Sequence, residues 1–453
     1  MRHDITQSVL FDDLSSKPVT VAFSAPSQSS DGGLPLLAAL DRKLGLTAHL
    51  SQELVDGRRL NSVDHSFTEL VRQRVFSIAH GYADCNDAAH IGDDPLFKLA
   101  CGRSPGESAG LASQPTLSRF ERGHGGREVV AMGRALERTV IGTLARRHRR
   151  ARRITIDLDG SEDPTHGQQP FAFFNGYYDS WCYVPLFGFL SIDDLPEQHL
   201  FFARLRPGVG TEGRCVRTLL RRIVPLLRQR FRKAEIVVRL DAGFASSELF
   251  DLFDELKVGY MVAMAKNPRL TIHAERHMRG VRWITELFGG TTTLFGECVY
   301  GAHKWSRSRR VIFKAEVVDL AGRSPRDNLR FVVTNLRGSA ESVWKDYIKR
   351  GDTENRIKEL KLDLQIDRTS STSFLANQMR VLLTAAAFVL FQELRVALGA
   401  SELGRAMVAT LRLKLLKIGA TVKESWRRNV IALPTSHPWK DLWRRAALAA
   451  GAH

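Results

Sequence analysis

The chain has 453 residues, 43% hydrophobic and 8% aromatic, a length and composition that allow one large core with smaller modules and exclude a disordered or collagen-like protein. Its 66 lysines and arginines against 49 acidic residues give a formal net charge of +17, which attracts polyanions, most commonly nucleic acid and more rarely an anionic membrane surface. Five scattered cysteines without a Cys-x-x-Cys pair argue against a zinc ribbon or a disulfide framework and favour a reducing cytosol.

Residues 1–150 are predicted to form a mostly helical N-terminal region. Residues 1–45 are polar and turn-rich, lack the apolar core of a signal peptide, and contain one expected strand near residues 19–23. Apolar residues then recur at helical spacing from residue 36 to residue 144. Within this segment "SQPTLSRFERG" places a polar turn before a short helix, which fits either a small DNA-binding helix pair or a plain helical connector.

The run "RRHRRARR" (residues 146–153) contains six arginines and marks the end of the N-terminal region. It is either a solvated helix end or a set of phosphate contacts. In a chain of this charge the second interpretation is slightly favoured, so Arg149 and Arg150 are candidates for DNA binding.

From residue 151 the pattern changes to alternating strands and helices. Residues 151–267 contain, in order, three strands, a helix, a strand, a helix and a strand, which predicts an α/β fold with a mixed sheet flanked by helices. The alternation stops over residues 268–328, where several strands with basic tips predict an inserted β module. It resumes over residues 329–400, and a basic helical region, residues 401–453, closes the chain.

The longest apolar stretch, "VLLTAAAFVLF" (residues 381–391), is too short to span a bilayer and is predicted to be a buried core helix. Together with the missing signal peptide, it predicts a soluble protein of the cytoplasm without a membrane partner. Nucleic acid is therefore the expected partner of the excess positive charge.

Aspartates stand at the ends of two predicted strands. Asp157 and Asp159 lie in "RITIDLDG", and Asp241 follows the apolar strand of "VVRLDAGF"; glycine-containing turns come next in both cases. Taken singly, each could be an Asx-turn residue that caps its strand. Two such aspartates in one sheet repel each other unless a divalent cation compensates them, and strand ends are where α/β folds bind ligands.

A third carboxylate lies in "YIKRGDTENRIKELK" (residues 347–361). If this segment is helical, steps of 3.6 residues bring four side chains within about 60° of one another around the axis: Tyr347, Arg350, Glu354 and Lys361. A solvated helix usually spreads its charges more widely. Gly351 costs about 1 kcal/mol in a helix interior, so the helix could also begin only at Asp352.

Carboxylates from two strand ends and a helix are the hard-oxygen ligands that a pair of Mg²⁺ ions needs to cut a phosphodiester. One ion activates the attacking oxygen and the other stabilises the leaving oxygen, and Mn²⁺ is a possible substitute. Basic residues beside Glu354 would hold phosphates and neutralise charge that grows in the transition state.

At this point the sequence resembles a known family. The Tyr-(2)-Arg-(3)-Glu-(6)-Lys signature of DDE transposases from bacterial insertion sequences is matched by Tyr347, Arg350, Glu354 and Lys361. The stretches "IDLDGSEDPTHGQQ", "GYYDSWCYVPLFGF" and "VVRLDAGFASSELFDLF" are similar to the matching blocks of one branch of that group. The resemblance covers most of the chain from residue 154 to residue 391.

The resemblance implies a ribonuclease-H-like core with a β insertion between the second aspartate and the glutamate. The implied catalytic and metal-binding residues are Asp159, Asp241 and Glu354. Asp157 is the alternative to Asp159, which is preferred because a small residue and then a serine follow it. The implied contacts to phosphates at the transposon end are Arg350 and Lys361, with Tyr347 beside them.

The basic segment "HKWSRSRR" adds further candidates for DNA binding: Trp305, Arg307, Arg309 and Arg310. Trp305 either stacks on an unpaired or flipped base or packs locally under the insertion. His166, in "PTHGQQ", is either a turn residue or an assistant near the metals.

The implied function is that of a transposase that binds the terminal inverted repeats of its element as a homodimer on double-stranded DNA, at the nucleoid, through residues 1–150. Hydrolysis would free a 3′-hydroxyl, and strand transfer into target DNA would follow in a cut-and-paste movement. The alternatives are a metal-dependent nuclease of the same core without strand transfer and a non-catalytic DNA-binding protein derived from a transposase. The presence of all three carboxylates disfavours the last of these.

Overall fold

The N-terminal region is mostly helical, as its periodicity predicts. The computed structural model describes residues 9–11, 16–17, 19–22, 24–59, 63–209 and 212–453. Three short strands come first: β1 (Val9–Phe11), β2 (Val19–Val21) and β3 (Gln28–Ser29). The helices that follow are α1 (Leu34–Leu44), α2 (Leu46–Ser51), α3 (Phe67–Ala79), α4 (Ala88–Ile91), α5 (Pro95–Cys101), α6 (Gln114–Arg122) and α7 (Gly126–Arg147). The expected strand near residues 19–23 is β2, although Phe23 lies outside the described residues. The short helix of the suggested DNA-binding pair is α6, and its role stays a prediction.

The next segment follows the predicted order, but six strands and not three precede its first helix. Its elements are β4 (Arg153–Gly160), β5 (Asp163–Pro164), β6 (Phe173–Asn175), β7 (Ser180–Tyr183), β8 (Leu186–Ile192), β9 (Gln198–Arg204), α8 (Glu212–Arg230), β10 (Glu235–Leu240), α9 (Ser247–Glu255) and β11 (Gly259–Met264). Serine and aspartate caps set local boundaries, as where the Ser246 side chain accepts a hydrogen bond from the Leu249 amide at the start of α9. The added strands are the short β5, β6 and β7, which lie between β4 and β8 in the chain and form a small separate sheet.

The expectation of β structure throughout residues 268–328 is wrong for its first part. A 21-residue helix, α10 (Pro268–Phe288), precedes the strands β12 (Thr292–Tyr300), β13 (Arg309–Val318) and β14 (Arg326–Thr334). The helix forms because the Asn267 side chain caps it, Pro268 suits its first turn, and buried apolar residues recur at helical spacing along it. The three strands extend the central sheet and do not form a sheet of their own.

The C-terminal part begins as predicted and then departs from the prediction. Its elements are α11 (Ala340–Tyr347), α12 (Gly351–Leu362), α13 (Phe374–Leu398), α14 (Val408–Leu411), β15 (Ala420–Glu424), β16 (Asn429–Ala432) and α15 (Lys440–Ala450). The expectation that residues 401–453 are helical is wrong for β15 and β16, which form a hairpin. On its other side β15 pairs with β3 through Ala420 and Thr421. A strand from the distant N-terminal region therefore covers an edge of β15 that would otherwise be unpaired.

A mixed eight-stranded sheet organises the fold, in the order β12-β13-β14-β11-β10-β4-β8-β9. Strands β4, β10 and β11 are parallel, whereas β8 and β14 run antiparallel to their neighbours in this group. The pairing of Arg239 with Asp157 fixes the register between β10 and β4. The same offset places Asp241 opposite Asp159, at the carboxyl ends of the two strands.

Helices cover both faces of this sheet, which confirms the predicted α/β architecture. On one face the apolar side chains of β4, β10 and β11 pack in the large core together with α8, α9 and α10. On the other face a smaller cluster joins strand residues such as Val237 and Met261 to Val343 and Trp344 of α11. Successive side chains of a strand point to opposite faces, so those of the aspartates at positions 157, 159 and 241 lie on this second face, under α11 and α12.

Helix α13 is the buried core helix that the apolar stretch predicts, although its 25 residues make it longer than that stretch. Within the described residues it is the one helix long and apolar enough to cross a membrane, and 83% of its most apolar window is buried. It also covers the edge strand β9. Gln378 Oε1 accepts a hydrogen bond from the Leu205 amide at 2.6 Å, and Gln392 Oε1 accepts one from the Leu200 amide at 3.0 Å. These glutamines replace the strand partner that an edge lacks.

Candidate active site

Three carboxylates meet around one guanidinium at the carboxyl ends of β4 and β10. Arg350 Nη2 lies 2.8 Å from Asp159 Oδ1 and 3.6 Å from Asp241 Oδ2. Its Nη1 lies 3.2 Å from Glu354 Oε1. The structure therefore brings together the two strand-end aspartates and the helical glutamate that the sequence singles out.

The path of the chain from α11 to α12 positions this cluster. A 3₁₀ turn, Ile348–Arg350, joins the two helices, and α12 starts at Gly351 with helical backbone angles. Arg350 and Glu354 are therefore one turn apart and in contact, as the predicted stripe requires. Tyr347 is half-buried, with its ring 5.8 Å from that of Trp344, and burial raises the pKa of its hydroxyl.

The electrostatics of the cluster are set by burial and by like charge. Burial raises the pKa of Asp159 to about 7, against the lowering effect of Arg350, and the neighbouring carboxylates of Asp241 and Glu354 add to the rise. Burial alone would lower the pKa of Arg350, but the same carboxylates raise it, so the guanidinium stays charged. The side chains of Asp241 and Glu354 are 40% and 58% exposed, which leaves one side of the cluster open to a ligand.

Asp157, the alternative first aspartate, has a different environment. Both its carboxylate oxygens accept hydrogen bonds from Arg239, at 2.6 and 2.8 Å, and both residues are buried. Arg239 also donates to the Asp346 carbonyl at 2.6 Å, which ties β10 to α11. The sequence offers a signal for this pair, because an arginine in the apolar strand "EIVVRL" needs a buried acidic partner.

The donor set of the cluster suits a hard divalent cation, because carboxylate oxygens are the ligands that Mg²⁺ and Mn²⁺ prefer. Within the described residues no group of three or more His, Cys, Asp or Glu side chains is arranged to hold a metal. The guanidinium of Arg350 instead contacts all three carboxylates. The residue types therefore fit the cation that the sequence predicts, and a cation bound there would lie close to the charged guanidinium of Arg350.

Lys361 lies farther along α12, beside the small sheet. Its Nζ donates to the Glu162 carbonyl at 2.8 Å and lies 3.7 Å from Asp367 Oδ2. Burial raises the pKa of the nearby Asp163 to about 8, and Thr369 Oγ1 lies 2.9 Å from that carboxyl. This buried carboxyl was not among the sequence-predicted residues, while His166, which was, is exposed in the same segment.

Trp305 lies in the loop between β12 and β13, and β13 is three positions from β10 in the order of the sheet. The Trp305 ring makes edge contacts with Phe250 at 4.9 Å and Tyr300 at 5.6 Å, so it packs locally in this structure. Arg309 is buried, 3.0 Å from Asp251 and 2.8 Å from Asp254. The other two arginines also form ion pairs, Arg307 with Asp254 and Arg310 with Glu297.

Arg149 and Arg150 are exposed in the loop between α7 and β4. This loop precedes the amino end of β4, whereas Asp159 is near its carboxyl end. The two arginines therefore lie beyond the opposite end of the strand from Asp159, and a contact to DNA there would be remote from the carboxylates.

Comparison with known proteins adds one finding to this geometry. Residues 11–450 match the family model described as "Transposase DDE domain group 1". A comparison with curated proteins finds no match. The family match covers nearly the whole chain, from the N-terminal helices through the central sheet to the last helix.

Proposed function

The chain belongs to the DDE-domain transposase family, and on that premise we propose that it is the transposase of a bacterial insertion sequence. The observation that carries the proposal is the convergence of Asp159, Asp241 and Glu354 on one edge of the sheet, around Arg350. The match of the signature residues at 347–361 supports membership of the branch with the Tyr-(2)-Arg-(3)-Glu-(6)-Lys pattern.

We assign a ribonuclease-H-like core to the strands β9, β8, β4, β10 and β11. The assignment is supported by three antiparallel strands followed by two parallel ones, with aspartates on adjacent strand ends and a glutamate on a later helix. In this assignment α10 and β12–β14 are the insertion between the second aspartate and the glutamate, and they begin with a helix.

In the proposed reaction Asp159, Asp241 and Glu354 would hold two Mg²⁺ ions, or Mn²⁺ as a substitute. When bound, such ions polarise the attacking and leaving oxygens of a phosphodiester. Arg350 would turn from the carboxylates to a phosphate oxygen of the DNA strand and neutralise charge that develops there. Lys361 would contact a second phosphate, and Tyr347 would flank the strand.

The proposed sequence of steps begins with binding of the inverted repeats by a homodimer, through the N-terminal helices. Water attacks a phosphodiester at the element's end, and the 3′-hydroxyl leaves. That hydroxyl then attacks a phosphodiester of the opposite strand and closes a hairpin, which releases the element from its flank. A second water opens the hairpin and frees the 3′-hydroxyl again, and this hydroxyl attacks a phosphodiester of target DNA, which completes a cut-and-paste movement. The protein would act in the cytoplasm, on the nucleoid. Each step exchanges one phosphoester oxygen for another and needs no other reactant.

The test is an incubation of the purified protein with labelled DNA that carries the inverted repeats flanking its gene, with Mg²⁺ and a target plasmid. The proposal predicts labelled ends joined to the plasmid, and no joining by the variants Asp159→Asn, Asp241→Asn or Glu354→Gln. Cut ends without joined products would favour the nuclease of the same core. Specific binding of the ends without cleavage would favour the non-catalytic DNA-binding protein.

A further inference from the structure

A cavity of about 810 Å³ opens beside the edge strand β9, between α7, α8 and α13. Its interior is largely apolar, with side chains that include Val129, Phe202, Leu219 and Leu382. The volume lies in the range of about 300–1,000 Å³ that is typical of pockets for small ligands. The carboxylate cluster does not include any of these residues, so the cavity is a separate feature of the fold.

The mouth of this cavity is positively charged. Arg134 of α7, Arg204 of β9 and Arg214 of α8 line it, and all three are exposed. Among the described residues no ion pair or side-chain hydrogen bond engages their guanidinium groups. The single acidic residue among the lining, Glu137, is bonded by both terminal nitrogens of Arg222 and is therefore neutralised. A ligand with an anionic group would find at the entrance three cations that no other described residue pairs with.

An aromatic surface adjoins the same mouth. Phe174 of β6 lines the cavity and its side chain is 48% exposed. Other aromatic side chains of the small sheet and its loops are exposed as well, namely Phe171, Phe173, Tyr177 and Trp181. Exposed aromatic rings beside arginines are the groups on which proteins stack unpaired nucleic-acid bases.

The cavity lies close to the carboxylate site along the central sheet. Asp159 pairs with Phe187 of β8, and Phe187 pairs with Ala203 of β9, which lines the cavity. Two strand spacings separate these positions, about 10 Å.

The small sheet makes a second connection between the cavity and the residues of α12. The Glu162 carbonyl accepts a hydrogen bond from Lys361, and the Glu162 side chain accepts one from Ser180. Ser180 in turn pairs with Asn175, which also lines the cavity. The small sheet therefore joins Lys361 of α12 to the lining of the cavity.

We propose that this cavity binds an unpaired nucleotide of the DNA strand that enters the carboxylate site. The base would occupy the apolar interior against Phe174, and the phosphate would contact Arg204 and Arg214. The proposal rests on the proposed function, since it takes DNA as the substrate.

The experiment measures binding of the full-length protein to a blunt DNA duplex and to the same duplex with a short single-stranded oligo(dT) extension at its 3′ end. Wild-type protein is expected to bind the extended duplex about fivefold more tightly or better, as one stacked base would give. The double variant Arg204→Ala/Arg214→Ala and the variant Thr218→Trp, which fills the cavity from an exposed position of α8, should lose this advantage. The matched control is Arg232→Ala, which removes an exposed arginine about 27 Å away, just past the other end of α8.

The outcomes separate this proposal from the proposed function. Equal affinity of wild-type protein for both duplexes, or an advantage that survives in Thr218→Trp, would overturn the cavity proposal. If the same protein still joins transposon ends to a plasmid, the proposed function stands without it. If the protein binds neither duplex and joins no transposon ends, both proposals fail. An extension that carries 5-iodouracil provides a second readout, because photo-crosslinks should map to Phe174 and to α7 or α8, and crosslinks confined to other surfaces would contradict the proposal.

Discussion

The guanidinium of Arg350 lies 2.8 Å from the carboxylate of the buried Asp159, at the point where that carboxylate faces Asp241 and Glu354. A divalent cation that binds these three side chains would lie close to the positive charge of Arg350, which contacts one oxygen of each carboxylate. Arginine and metal are therefore competitors for one site. A phosphate of bound DNA, which offers Arg350 another anionic partner, would relieve this competition. In the proposed function this geometry would link metal binding to DNA binding.

The first prediction concerns metal affinity without DNA. Arg350→Ala removes one positive charge from contact with three carboxylates, so affinity for Mn²⁺ should rise by about tenfold or more. Calorimetric titration or the electron paramagnetic resonance signal of free Mn²⁺ measures it directly. Cleavage of transposon ends by the same variant should fall, because the phosphate contact is lost.

The control for this experiment is Lys349→Ala. Lys349 is the neighbouring residue and has the same charge, but it pairs at the surface with Asp194. It should leave Mn²⁺ affinity nearly unchanged. An equal effect of the two substitutions would show that only overall charge matters and that Arg350 does not compete for the site.

The second prediction separates the two neighbouring aspartates of β4. Asp157→Asn leaves Arg239 buried without its partner, which should lower the free energy of unfolding by about 3–5 kcal/mol. Asp159→Asn should change stability little, because burial already raises the pKa of Asp159 to about 7 and so favours its neutral form. It should nevertheless abolish joining of transposon ends.

Urea unfolding and the joining reaction, measured on both variants, give the two readouts. A stable Asp157→Asn protein without joining activity, beside an active Asp159→Asn protein, would reverse the assignment of the first metal ligand. That result would favour the alternative that the sequence leaves open.

The parts of the site that the sequence predicts are those with local signals. Asp159 lies near the end of one apolar strand, Asp241 directly follows another, and Arg350 and Glu354 share a helical period, so nearby residues indicate the local structure around each of them. A local signal also exists for α10, where an asparagine cap and a proline precede helical spacing, but the strands that follow dominate the pattern of residues 268–328.

The remaining features depend on partners far away in the chain, which no local pattern contains. Strand β15 pairs with its neighbour β16 and also with β3, which lies nearly 400 positions earlier. The basic stretch "HKWSRSRR" suggests that Arg309 is a surface cation. In the structure its side chain is buried, with Asp251 and Asp254 of α9 as its acidic partners. The sequence shows the charge of such a residue and cannot show the partner that removes it from solvent.

The third prediction concerns Trp305, which either packs locally or stacks on DNA. Its contacts with Phe250 and Tyr300 predict that Trp305→Ala lowers the free energy of unfolding by about 2 kcal/mol or more. Trp283→Ala is the matched control, because that tryptophan is 61% exposed and its loss should stay within about 0.5 kcal/mol. Both variants should bind DNA like the wild-type protein. A selective loss of DNA affinity in Trp305→Ala would support stacking.

The fourth prediction is a pH dependence of stability from Asp163. Burial raises the pKa of this carboxyl to about 8 in the folded protein, above its value in the unfolded chain, so the folded state holds a proton that the unfolded state releases near pH 4. The stability that this proton contributes is fully present at low pH and is lost as pH rises toward 8, by up to about 1.4 kcal/mol per pH unit. Asp163→Asn keeps the neutral shape, so its stability relative to wild type should rise between about pH 6 and pH 8 in urea unfolding. Asp159 is common to both proteins and its titration cancels in the difference. A difference that does not change with pH would show that Asp163 is already ionised in the folded protein.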